Sequence, residues 1–189
     1  MKKRLLTALA LLTGIFLLSA SIVWAAPAPV AKTGQTTSYL TGDDGDLQKG
    51  VASPSPRFTD HGDGTVTDNL TGLMWAKDAN DNGTMTWADA IDYANNLSLG
   101  NEGCGTTYTD WRLPNVRELQ SLIDFGNNLP ALPVGHPFTN VQLELGWYWS
   151  STTYSFSTDG AWYVYIASGS VNGSNKTSNF YAWPVRGGN

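Results

Sequence analysis

Ala161-Trp162-Tyr163-Val164-Tyr165-Ile166-Ala167 is the stretch that decides how this chain folds. Trp162, Val164 and Ile166 alternate with Tyr163, Tyr165 and Ala167, the period of two that a half-buried strand needs. The alternation predicts Trp162, Val164 and Ile166 on a core face, with Tyr163 and Tyr165 facing out. From Trp147 to Asn189 the chain holds half of its aromatics but only three charged residues, Asp159, Lys176 and Arg186. Most of the rest is Ser, Thr, Asn and Gly. Tyr and Trp give large contact area at low entropic cost, and Ser, Asn and Gly give adaptable hydrogen bonding. Such a composition suits a recognition surface better than an acid–base site, which needs positioned titratable groups. Strands are expected over residues 147–154, 161–167 and 179–185, with a Gly-interrupted loop over 168–175.

Upstream, Phe58 to Trp75 reads as a hairpin. His61-Gly62-Asp63-Gly64 makes the turn, Thr65-Val66-Thr67 begins the return, and Leu73-Met74-Trp75 enters the core. A helix is expected over 86–97, with Trp87, Ala90, Ile91, Ala94 and Leu97 on one face and a Thr86/Asp89 capping box. A second is expected over 115–124, capped by Asn115 and Glu118, with Val116, Leu119, Leu122 and Ile123 as its apolar stripe. Residues 108–114 read as a short strand stopped by Pro114, and 129–138 as a Pro-rich loop. The expected class is α+β, two helices packed on a twisted antiparallel sheet. Trp75, Trp87, Trp111, Trp149, Trp162 and Trp183 are expected to be largely buried.

Met1-Lys2-Lys3-Arg4, the uncharged run to Val23 and the Val23-Trp24-Ala25 end predict a secretory signal peptide over 1–25. Residues 26–56 read as an extended leader poor in large apolars, and 57–189 as the folded unit. The expected destination is outside the cytoplasm: periplasm, cell surface or medium. Cleavage leaves eight basic against sixteen acidic residues. That balance argues against nucleic acid or an anionic membrane as partner, since Lys and Arg hold both, and after cleavage no membrane insertion is expected. Cys104, the single cysteine, cannot form an internal disulfide.

Asp78-Ala79-Asn80-Asp81-Asn82-Gly83, with Asp89 at position 12, fits a calcium-loop template. Asp78, Asn80, Asn82 and Asp89 are its candidate ligands and calcium the candidate cofactor. A plain Asx turn leading into a capped helix explains the same residues. No G-x-S-x-G elbow or H-E-x-x-H occurs. His61 and His136 fall in predicted loops, without the neighbours a metal site needs. The candidate binding face is Tyr148, Tyr154, Phe156, Tyr163, Tyr165, Ser168, Ser170, Asn172, Asn175 and Phe180, with a protein or glycan outside the cell as partner.

Several runs carry a resemblance to a known family. They are Arg57-Phe58-Thr59-Asp60, Asp63-Gly64-Thr65-Val66-Thr67-Asp68, Thr71-Gly72-Leu73-Met74-Trp75, Thr86-Trp87, Thr109-Asp110-Trp111-Arg112-Leu113-Pro114-Asn115, Tyr148-Trp149-Ser150-Ser151-Thr152 and Trp183-Pro184-Val185-Arg186. In this order they resemble the Lcl C-terminal domain family, named for a bacterial collagen-like adhesin. Lys32 to Thr36 and Asp43 to Asp46 are similar to segments preceding such domains. The resemblance implies a C-type-lectin-like fold, related to the formylglycine-generating-enzyme branch, and an extracellular binding module. Some members bind sulfated glycosaminoglycans, and others are diversified by retroelements at outward positions of the last strands. This chain has no collagen-like stalk, and its acidic balance suits sulfated sugars poorly. Formylglycine-generating chemistry needs a late cysteine pair, and no cysteine follows Cys104. The expectation is a non-enzymatic recognition domain; the alternatives are an enzyme of that branch or a ligand-free envelope protein.

Overall fold

His61-Gly62-Asp63-Gly64 turns the chain back on itself. The Gly62 N–H donates to the Asp60 carboxylate at 3.0 Å, and Gly62 and Gly64 take φ of 73° and 82°, open to glycine at little cost. The computed structural model describes residues 30–100 and 107–187. Strand β1 (Phe58–Asp60) pairs antiparallel with β2 (Thr65–Asp68), and β2 with β3 (Met74–Ala76). The chain returns at its far end as β9 (Val185–Arg186) to pair with β3, closing a four-stranded sheet.

Asp68 is fully buried there. Its carboxylate accepts from Arg57 Nε and Nη2 at 2.7 and 2.9 Å, from the Leu70 N–H at 2.9 Å and from the Thr71 hydroxyl at 2.9 Å. A buried carboxylate is tolerable only when paired and hydrogen-bonded in this way.

The second sheet has five strands, in the order β4 (Thr84–Met85), β8 (Phe180–Tyr181), β5 (Trp147–Thr153), β6 (Gly160–Tyr165) and β7 (Ser170–Asn175). Its pairings are antiparallel except the β5–β8 contact at Tyr148 and Tyr181, which is parallel. Helix α2 (Trp87–Asn96) and helix α3 (Val116–Ser121) both touch β5. The chain is therefore α+β, with short helices on two sheets rather than one.

Four expectations are corrected. Residues 179–185 are not one strand: β8 and β9 belong to different sheets. Pro184 has no N–H for a ladder, and its carbonyl accepts from Ala76 at 3.0 Å instead. Residues 168–175 are not a loop, because β7 pairs with β6 through six consecutive positions. Backbone pairing overrides the weak strand propensity of Ser, Asn and Gly. Residues 108–114 make only isolated bridges, Leu99 to Tyr108 and Arg112 to Val185. The leader carries more structure than its composition suggested. Helix α1 (Asp44–Leu47) is capped by Asp43, Lys32 and Val51 bond with Val51 and Val30 carbonyls at 2.9 and 2.8 Å, and the Phe125 N–H donates to Thr33 at 2.7 Å. A Cβ on Gly45 would lie 2.0 Å from the Thr37 carbonyl, and one on Gly126 2.4 Å from that of Gly34. Only glycine allows these approaches.

The core has two parts. One gathers Val66, Trp75, Leu119, Leu122, Tyr148, Val164, Ile166 and Trp183; the other gathers Met85, Ala90, Ala94, Leu113, Trp149 and Phe180. Tyr148 and Trp149 are consecutive on β5, so they point to opposite faces, and both are fully buried. The five-stranded sheet is covered on both sides at its centre.

Helix α3 shows why its motif has this form. Asn115 accepts from the Arg117 and Glu118 N–H groups at 2.9 and 3.0 Å, and Glu118 accepts from the Asn115 N–H at 2.8 Å. Arg112 forks onto the same carboxylate at 2.6 and 2.7 Å, and its backbone exchanges two hydrogen bonds with Val185. Burial pushes the Glu118 carboxyl up, but the Arg112 fork and the Asn115 N–H outweigh it and hold it below its ordinary value. A lowered carboxyl stabilises the fold above its unfolded value, about 4.3, and that stability is lost as pH falls through the folded value. Glu118→Gln should therefore cost about 1–2 kcal/mol at pH 7 and flatten the pH dependence of urea unfolding below about pH 4.3. Superimposable profiles for parent and variant would refute this role.

Candidate functional site

The ten residues of the expected binding face divide sharply. Tyr148 is fully buried, and its hydroxyl accepts from the Gln142 N–H at 3.0 Å. Phe180 is 7% exposed, with its ring 4.5 Å from that of Trp149. Neither faces solvent. Phe180 does lie on the face opposite Tyr181, Trp183 and Val185, which join the first core, but that face is covered by the second core and not open to solvent.

Tyr163 and Tyr165 do project from the face opposite Val164 and Ile166. That face is not bare, because Trp147, Trp149 and Phe180 share it under α2. Tyr163 packs edge-on against Phe180 at 4.9 Å and belongs to the fringe of the second core. Tyr165 is half-buried, and its hydroxyl donates to the Leu143 carbonyl at 3.3 Å. Ser168, Ser170, Asn172 and Asn175 are exposed, and Ser168 and Ser170 share a 2.7 Å hydrogen bond. The β6–β7 register pairs Tyr165 with Ser170 and Gly160 with Asn175, so the serines and Asn175 lie at opposite ends of the ribbon.

At the Asn175 end the structure assembles a group that the alternation did not anticipate. Trp162, expected in the core, is only half-buried. It meets Tyr154 edge-on at 4.8 Å, and Tyr154 lies 6.1 Å from Phe156, which is 88% exposed. None of the three joins either core cluster. The turn from β5 to β6 is tied by Ser157 N–H to Tyr154, Gly160 N–H to Ser157 and Tyr154 N–H to Gly160 bonds of 2.9 to 3.1 Å. Beside Tyr154 opens a cleft of about 220 Å³, lined also by Ser157, Asp159, Gly160, Ser174 and Asn175. Gly173 stands opposite Trp162 on β7 and adds no side chain to cover the ring, a long-range pairing that alternation within one strand does not reveal.

The remaining indoles follow expectation more closely. Trp75, Trp111, Trp149 and Trp183 are buried, while Trp87 is half-buried under Lys176, whose ammonium sits 4.0 Å from its ring.

The calcium-template residues work as turn and cap. Asp78 accepts from the Asn80 N–H at 2.8 Å and from the Asn140 amide at 2.7 Å, and Asn80 accepts from the Gly83 N–H at 3.1 Å. Asn82 is exposed. Asp89 lies in the first turn of α2 and accepts from the Thr86 hydroxyl at 2.6 Å. Among the described residues no three His, Cys, Asp or Glu side chains gather to hold a metal. A second cleft, about 180 Å³, lies alongside, lined by Lys77, Asp78, Asp81 and Tyr93. Its groups answer one another or near neighbours: Lys77 pairs with Asp60 at 2.7 Å, and the Tyr93 hydroxyl donates to Asp81 at 3.3 Å. Burial, with the Asp81 charge beside it, pushes that hydroxyl up.

His61 bonds with Thr67 at 2.8 Å, and His136 stacks on Phe138 at 5.9 Å. Cys104 and the signal segment lie outside the described residues. No helix among those described is long and apolar enough to cross a membrane.

Two measurements follow. Tyr163→Ala should lower stability by about 2 kcal/mol, whereas Phe156→Ala should leave it within about 0.5 kcal/mol; equal losses in denaturant titrations would dissolve the distinction between fringe and surface. Melting curves in calcium and in chelator should coincide, and a rise that grows with calcium excess would restore the ion to the Asp78 turn.

The family model described as the Lcl C-terminal domain matches residues 64–186. A search of curated proteins returns no match.

Proposed function

The chain belongs to the Lcl C-terminal domain family, and on that premise we propose that it is an exported, non-enzymatic recognition domain. It binds a protein or glycan outside the cell through its aromatic, Ser- and Asn-rich C-terminal region. The observation that carries this reading is the Tyr154, Phe156 and Trp162 group, held outside both cores where the hydrogen-bonded turn after β5 meets β6. Fully burying a Phe side chain contributes about 1.5–3 kcal/mol to folding. Phe156 forgoes nearly all of that, and exposed aromatics anchor interfaces.

A C-type-lectin-like architecture accords with the reading, since β9 returns to pair with β3 and joins the two ends of the matched region. Diversification by a retroelement would extend it. Its genomic signature is a near-copy of the segment encoding residues 147–188, differing mainly at adenines and lying beside a reverse-transcriptase gene.

The test is binding of the purified chain to arrayed glycans and arrayed extracellular proteins. Phe156→Ala should weaken capture by about 2 kcal/mol, roughly 30-fold, with melting unchanged. Capture indifferent to Phe156→Ala and Asn172→Lys, or capture by no array feature, would overturn the proposal.

A further inference from the structure

The cleft beside Tyr154 has two chemically distinct walls. One is aromatic: the Tyr154 ring, which Trp162 buttresses edge-on from 4.8 Å behind the lining. Gly173 stands opposite Trp162 on β7, and a Cβ placed there would touch the Tyr154 ring at 3.4 Å. The tyrosine ring therefore lies close against the strand pair. The other wall is polar. The Asn175 carboxamide oxygen accepts from the Thr177 N–H and hydroxyl at 3.0 and 2.9 Å. Those bonds fix the amide plane and leave its NH2 as a donor. Asp159 is exposed, and its backbone carbonyl accepts from Lys176 at 2.8 Å, which anchors the residue while its carboxylate remains an acceptor.

A flat apolar face beside an oriented donor and an acceptor complements a sugar ring, whose C–H face is apolar and whose rim carries vicinal hydroxyls. At about 220 Å³, the cleft holds roughly seven waters at about 30 Å³ each, a suitable size for one ring. The nearby charges select among sugars. Asp159 repels anions, and Lys176 is engaged with Thr153 at 3.0 Å and with the Trp87 ring. We infer that this cleft seats one uncharged pyranose of a glycan, stacked on Tyr154 and hydrogen-bonded by Asn175 and Asp159. The inference rests on the reading of this region as a recognition surface and names its ligand class.

The purified chain, labelled with nitrogen-15, is titrated with maltotetraose, cellotetraose, chitotetraose and a heparin tetrasaccharide. The Trp162 indole and Asn175 amide signals are followed. At least one neutral tetrasaccharide should give saturable, salt-independent shifts at both positions. Tyr154→Ala and Asn175→Asp should each weaken that binding at least tenfold; the second keeps the oxygen that caps Thr177 and exchanges the donor for a charged acceptor. Silence with every neutral sugar, shifts with heparin alone, or binding untouched by both variants would overturn the inference. Silence here together with Phe156-dependent capture on the arrays would overturn the sugar site and leave the recognition reading standing.

Discussion

Strand β5 is buried on both faces, and that constraint organises the molecule. Tyr148, Trp149 and Ser150 are fully inaccessible in succession, so two separate apolar layers must form around one strand. A buried indole also needs an acceptor, and the acceptors found are the backbone of other elements. Trp149 donates to Met85 at 3.1 Å, Trp87 to Ser150 at 2.8 Å and Trp183 to Ala76 at 2.8 Å. The first ties β5 to β4 within the five-stranded sheet, and the second ties α2 to β5. The third joins the four-stranded sheet to the rest. Trp75 stands apart, because its indole N–H is buried without a partner, and we have no physical account of it.

The runs that carry the resemblance meet one another in space, and they do so as fasteners. Arg112 of the Trp-Arg-Leu-Pro run reaches Val185 and Glu118, while Arg186 forks onto Asp110 at 2.6 and 3.1 Å and covers the Tyr108 ring at 3.9 Å. Arg57 opens the first motif and clamps Asp68, which ends the second. The aromatic cleft draws on none of these runs, since Tyr154, Asp159, Trp162 and Asn175 lie between them. The motifs hold the scaffold, and the segments between them are left to carry chemistry.

Local signals made much of this legible in advance. The hairpin followed from its Gly-rich turn, α3 from its capping box, and the burial of Val164 and Ile166 from alternation. Long-range facts were not legible. Alternation distinguishes two faces of a strand but not how many of them are covered, so it gives Tyr163 and Tyr165 their face without showing that the second core covers it. Nor does it show where a layer stops: Trp162 shares a face with Val164 and Ile166 but lies past the edge of their cover. The division between β8 and β9 depends on Trp183 and Pro184 meeting Ala76, a contact across more than a hundred residues.

The leader gives the molecule a mechanical property. Val51 is held beside residues 30–32 by two backbone hydrogen bonds, one from the Lys32 N–H at 2.9 Å and one to the Val30 carbonyl at 2.8 Å, so the chain between them forms a closed loop. A load drawn along the chain from residue 30 meets this clasp and the Thr33–Phe125 bond before it reaches the hairpin. Once the clasp and the Thr33 and Gln35 bonds to Phe125 have opened, about twenty residues, roughly 70 Å of contour at ~3.5 Å each, come free outside both sheets. A domain loaded on that side would lengthen under tension before its sheets part.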